Sequence, residues 1–241
     1  ISLAAALHTP LAGIGAILVF GAVVLGAMMN RDGGGPPPEE AVRTPWRAFV
    51  TPLAAVIVLL AGLHGGADTA LYSWLPKLMT SRFSHLPVAP GAVLAAYSLA
   101  YLVARTLQAT LPEGLGQRAF LTLAGPLGGI TLLAAMWFGG PLALGLLYPL
   151  AGLIWCLEYP ALLAEIGAAS PRQFSSVLAA AQLASCLVAA GQLNLVGWLA
   201  DLTGDLRVAL LPAVCSFVAF GVIAAAVGLG RARPGAAERA G

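Results

Sequence analysis

Seven stretches of about twenty mostly apolar residues follow one another along the chain, near 8–29, 49–76, 89–110, 118–138, 141–163, 174–199 and 207–229. A helix needs about 20 such residues to cross the roughly 30 Å of hydrocarbon in a bilayer. A membrane β-barrel would show short segments of alternating polarity, whereas these runs are continuous. Lipid offers no partner to backbone N–H and C=O groups, so each run must hydrogen-bond within itself, which selects the helix. Gly62, Gly65, Gly66, Pro126, Pro149 and Pro160 fall inside the runs, and membrane bundles tolerate them as kinks and close contacts. The expected fold is therefore all-α: a polytopic transmembrane bundle of about seven helices. Charge content decides against a soluble alternative. Only 9% of residues are charged, against roughly 25% in a soluble domain that must face water on every side.

Several function classes fall away at this point. A net charge of +2, with no basic patch interleaved with aromatics, argues against nucleic acid as a partner. Cys156, Cys186 and Cys215 lie inside apolar runs with no CxxC spacing and no nearby histidine. They read as small buried hydrophobes rather than metal or redox groups. There is no HExxH, GxSxG or Walker loop, and no carboxylate pair at a catalytic spacing. His8 and His85 stand alone. The expectation is a protein that is not an enzyme and takes no cofactor or metal.

One polar interruption is long. Residues 30–47 hold a glycine triplet, a proline triplet and mixed charges, the composition of an exposed linker. The chain thus divides into a first helix within 1–29, a linker at 30–47, six helices within 48–230 and a polar tail at 231–241. With the linker in the cytoplasm, that side collects Arg31, Arg43, Arg47, Arg105, Arg118, Arg172, Arg231, Arg233 and Arg239, leaving Lys77, Arg82 and Arg207 outside. The asymmetry follows the positive-inside rule and sets a cytoplasmic C-terminus. Ile1 opens the chain without a signal-like segment, and the expectation is a fragment of something longer.

Ionisable side chains at membrane depth cost roughly 2.5–3.5 kcal/mol each on insertion scales, so they are the informative positions. In the second run His64, Asp68 and Tyr72 recur every four residues and share one helix face. If the helix ends near Pro76, Asp68 lies about 10 Å from its outer end. Two readings stay open for His64 and Asp68: a titrating pair that couples proton movement to another event, or a structural pair. Glu158, in the fifth run with Trp155 one turn before it and Tyr159 after it, offers the same choice. It suits a polar cavity, or a static ion pair with Arg105 at comparable depth. The sixth run carries Gln182, Ser185 and Gln192 on one face and Asn194 off it. They bridge helices at about 0.6 kcal/mol per bond, or bind a solute. Gly62-xxx-Gly66 and Gly125-xxx-Gly129 read as packing surfaces.

Four motifs, in order, suggest a family. Gly197-Trp198-Leu199-Ala200-Asp201-Leu202-Thr203-Gly204 resembles a GxLADxxG signature, and Leu111-Pro112-Glu113-Gly114-Leu115-Gly116-Gln117-Arg118 a degenerate cytoplasmic loop motif. Pro160, Glu165 and Arg172 are similar to a PxxxxE…R pattern, and Gly66-Ala67-Asp68 with Trp74-Leu75-Pro76 to an acidic residue preceding Trp-Leu-Pro. Together they resemble the carboxyl half of a major facilitator superfamily carrier, preceded by the last helix of its amino half. In the loop copy Glu113 stands for the usual Asp and Gln117 for a basic residue. The resemblance implies a linker joining two halves, with the second and fifth helices here lining a central cavity. Asp68 and Glu158 would then border the transport path. Arg105, Glu113, Arg118, Glu165 and Arg172 would belong to gating and the cytoplasmic charge network.

The function expected on this resemblance is secondary active transport of a small solute by alternating access, coupled to protons. The protein would sit as a multi-pass protein in the cell's inner membrane. Its partners would be the solute, the bilayer and the missing amino half of the same chain. The alternatives are a membrane scaffold, which needs neither Asp68 nor Glu158, and a membrane-embedded enzyme, which would cluster His, Asp or Glu near the headgroups.

Overall fold

A computed structural model of the chain describes residues 51–83, 85, 88–110, 116–169 and 174–230. The expected first helix, the linker and the polar tail lie outside the described residues, as do Glu113 and Arg172. Within them every regular element is helical. Six helical spans are long and apolar enough to cross a bilayer, and the architecture is that of a polytopic membrane bundle. They are α1 (Pro52–Arg82), α2 (Pro90–Thr110), α3 (Gln117–Phe138), α4 (Pro141–Trp155 continuing as Glu158–Ala169), α5 (Phe174–Thr203) and α6 (Leu206–Ala226).

Local chemistry sets the starts. Thr51 caps α1 by accepting from the Ala54 amide at 3.1 Å, satisfying one of the four amides that lack an intrahelical partner. Pro52, Pro90 and Pro141 open their helices, at positions where a missing N–H costs nothing. Asp205 caps α6 through the Arg207 amide at 2.9 Å. The Arg207 side chain also donates to it at 2.6 Å, which holds the Asp205 carboxyl below its ordinary range.

Two helices depart from the sequence expectation in ways that matter for depth. The expected end of α1 near Pro76 is wrong: the helix runs on to Arg82. Leu75, Leu78 and Met79 are buried on either side of Pro76, and their packing outweighs one lost backbone bond. Asp68 therefore sits near the middle of α1, roughly 21 Å from its end at 1.5 Å per residue. Likewise α4 runs past residue 163 to Ala169, putting Glu158 roughly 16 Å from that end. It is also broken at Cys156–Leu157. Pro160 has no N–H for the Cys156 carbonyl, and its ring crowds that turn, so the ladder loosens one turn ahead of it. A second irregularity lies in α3, where Phe120–Ala124 widens into a π-helix before Gly125 and Pro126.

Packing pairs α1 with α5, α4 with α2 and α3, and α6 with α1 and α3. The α1–α5 seam depends on glycine. A methyl group at Gly65 would stand 2.7 Å from the Ser185 Cβ, and one at Gly66 2.5 Å from a Val188 methyl carbon. Both helices would have to separate. Buried side chains form two apolar clusters. One takes Ala67 to Met79 from α1, Leu144 to Trp155 from α4 and Ala209 to Phe217 from α6. The other takes Ala54 to Ala61, Ala161 to Ile166, and Phe220 with Ala224. Between the two, at the level of residues 62–66 of α1 and 158 of α4, the interior is polar.

Candidate functional site

That polar level is built from three helices. His64 on α1 and Glu158 on α4 are both buried, and His64 Nδ1 lies 2.9 Å from Glu158 Oε2. His64 Nε2 lies 3.2 Å from the Tyr101 hydroxyl on α2. With its proton on Nδ1, the imidazole donates to the carboxylate and accepts from the tyrosine, so both ring nitrogens are satisfied. Phe217 and Phe220 meet the imidazole ring edge-on, with centroids 5.6 and 6.2 Å away. Glu158 Oε1 has no side-chain partner and lies against the backbone of Gly125, where even a methyl group would overlap it. Glycine just beyond the π-helix is what lets α3 and the carboxylate occupy one place.

One helical turn along α1, Asp68 forms a second group. Tyr97 on α2 and Trp155 on α4 both donate to its Oδ1, the indole at 3.1 Å. The same indole lies 3.2 Å from the Tyr97 oxygen. Aromatic stacking fixes these donors: Tyr97 on Tyr148 with centroids 4.6 Å apart, and Trp155 on Phe217 at 4.4 Å. Asp68 and Glu158 thus have separate partners, and His64 and Trp155 stand between them. No direct Asp68–Glu158 contact forms.

The two groups differ in access. Asp68 is only half-buried, and with His64, Tyr101, Arg105, Tyr159, Gln182 and Ser185 it borders an open cleft of about 630 Å³ between α1, α2, α4 and α5. A second recess of about 490 Å³ between α1 and α2 shares Asp68, Thr69, Tyr101 and Arg105, and adds Tyr72, Tyr97 and Ser98. Glu158 lies behind His64 and borders neither. A group entering the cleft meets Asp68 directly but reaches Glu158 only through the imidazole.

Of the residues singled out from the sequence, His64, Asp68, Tyr72, Trp155 and Glu158 come together here. The suggested Arg105–Glu158 ion pair does not form. Glu158 is taken by His64, and the Arg105 guanidinium lies over the rings of Tyr101 and Tyr159, at 4.7 and 5.8 Å. Gln182 reaches the cleft and donates to the Tyr159 hydroxyl at 2.6 Å. Ser185 borders it too, but its hydroxyl serves the α1–α5 seam, donating toward the Ala61 carbonyl at 2.8 Å. Gln192 and Asn194 are elsewhere. Gln192 is buried and donates to Ser216 of α6 at 2.7 Å, and the Asn194 amide donates within its own helix to the Ala190 carbonyl. Both bridge backbone or helices rather than facing the cleft.

Near the other end of the bundle Glu165 accepts from Gln117 at 3.2 Å and from the Gly230 amide at 2.8 Å. Arg118 is exposed and makes no ion pair among the described residues. Of the expected charge network, the described residues show only neutral donors on Glu165. Tyr97 and Tyr101 were not singled out from the sequence, although they supply the donors to Asp68 and His64. Their four-residue spacing on one face of α2 is the signal that points to them.

A scan against models of known protein families finds no match, and searches of curated proteins and of solved structures find none either.

Proposed function

We propose that this protein is a secondary active transporter that moves a small solute through the bilayer by alternating access, with proton coupling, in the manner of the major facilitator superfamily. One observation carries the reading. A half-buried carboxylate, Asp68, stands near the middle of a membrane-length helix on the wall of an open cleft. Charged groups at such depth are costly, and they mark ion or substrate paths.

Two further features favour it. Transporter sites form at midplane where helices are interrupted, and α4 breaks two residues before Glu158 while α3 carries its π-turn beside the same carboxylate. The chain His64–Glu158 and Asp68–Tyr97–Trp155 also gives a proton more than one resting place within a short distance. On this reading a second bundle faces the cleft and the two rock about it. The chemistry needs no cofactor and no covalent step.

The test is flux by the complete protein. Reconstituted in liposomes with a pH-sensitive dye inside, it should move protons when a transported solute is added from a panel of labelled sugars, organic acids, amino acids and cationic dyes. Asp68→Asn should abolish accumulation driven by a pH gradient. Undiminished pH-dependent uptake by that variant would remove Asp68 from the mechanism.

A further inference from the structure

We infer that the cleft takes a small organic anion, its carboxylate held by Arg105 and a donor group of the solute turned toward Asp68. This assignment of substrate class rests on the carrier reading of the same cleft.

The argument begins with unequal satisfaction of the two charges. Asp68 Oδ1 already receives two neutral donors, Tyr97 and Trp155. Arg105 has no carboxylate within ion-pair distance among the described residues, where the two pairs are His64–Glu158 and Arg207–Asp205. Its guanidinium rests on aromatic faces instead, over Tyr101 and Tyr159. Beyond the bond it shares with the Tyr101 hydroxyl, the other N–H donors of the guanidinium are left to be met by something else. In an apolar span that something is worth most when it is an anion, because a carboxylate accepts two parallel bonds from the fork.

The surroundings supply further donors. The Tyr159 oxygen accepts from Gln182, which leaves the tyrosine's own O–H free to donate to an acceptor in the cleft. A solute carboxylate there would bond the guanidinium and the phenol together. A hydroxyl or ammonium elsewhere on the same molecule could donate to Asp68, which lines the same cleft. The cleft volume of about 630 Å³ is that of a small-molecule site. An organic cation would find a carboxylate already bonded twice and a guanidinium in the same cleft opposing it.

The experiment uses the complete protein in lipid nanodiscs, with lactate, gluconate, glucose and choline as probes at equal ionic strength. Binding is read by titrated thermal stabilisation. Lactate or gluconate should raise the unfolding temperature saturably, and Arg105→Gln should weaken that binding about tenfold or more. Arg105→Lys, which keeps the charge without the fork, should retain part of it and guards against a variant that fails to fold. Stabilisation by choline or glucose and not by either acid would overturn the assignment, as would silence from all four probes or unchanged acid binding in both Arg105 variants. The liposome assay separates this from the carrier reading. Proton-coupled flux of a cation would leave the carrier and sink the anion, whereas acid binding without flux would do the reverse.

Discussion

At the scale of single residues the deciding pair is His64 and Glu158. Both are buried, and each is the other's charged or chargeable partner at 2.9 Å. A buried pair adds little over a well-packed apolar replacement, but removing one member strands the other in a low-dielectric interior, typically at about 3–5 kcal/mol. His64→Leu should accordingly lower the unfolding temperature of the purified protein sharply. His64→Leu combined with Glu158→Leu should recover much of the loss, a strongly non-additive cycle. Additive effects would mean that the contact carries no coupling. The acidic and imidazole positions were legible in the sequence because ionisable groups at bilayer depth stand out against apolar neighbours. Their partners were not. Glu158 could be matched by depth with Arg105 but not distinguished from His64, since depth along a helix says nothing of rotation about it. Tyr97 and Tyr101 were not singled out, because only the packing of α2 on α1 brings them to Asp68 and His64.

At the scale of elements, the number of apolar runs within 49–229 and their order were readable from length alone, and the six spans follow them. What failed was the placing of two helix ends, at 76 and 163. Pro76 lies inside α1 and does not end it, because buried leucines follow it at helical spacing. Pro160 kinks α4 one turn upstream, as expected of it, but the helix runs on past 163 to Ala169. These errors moved Asp68 and Glu158 away from the helix centres, where the structure now sets them. The α1–α5 seam was anticipated by Gly62-xxx-Gly66, and the glycines there do meet Ala184 and Val188 across it. Gly66→Leu must therefore drive α5 outward. The expected cost is about 1–3 kcal/mol, in the range of overpacked cores, read as a lower unfolding temperature in detergent. The same substitution at Gly91, where a side chain meets open space, should leave stability nearly unchanged. Equal tolerance at both sites would show that the two helices do not close on each other as described.

For the molecule as a whole, the question left by six spans is which way they point. Each turn between consecutive spans must switch sides, so 83–89, 139–140 and 204–205 fall on one face and 111–116 and 170–173 on the other. Charge distinguishes the faces. Lys77, Arg82 and Arg207 approach the first, and Arg105, Arg118 and Arg172 the second, with Arg231 and Arg233 beyond the last span joining them. That imbalance, counted over short loops close to span ends, is the kind that orients a membrane protein. On that rule Thr110 is expected in the cytoplasm and Val88 outside, with Asp68 between them and the cleft beside it. Cysteine placed at either position, in a background with Cys156, Cys186 and Cys215 replaced, can be probed with a membrane-impermeant maleimide. Intact cells should label Val88→Cys and spare Thr110→Cys until the membrane is opened. The reverse pattern would invert the bundle, and the Arg105 end of the cleft would then face outward, so that solute would meet the guanidinium before Asp68 on entry rather than on release to the cytoplasm.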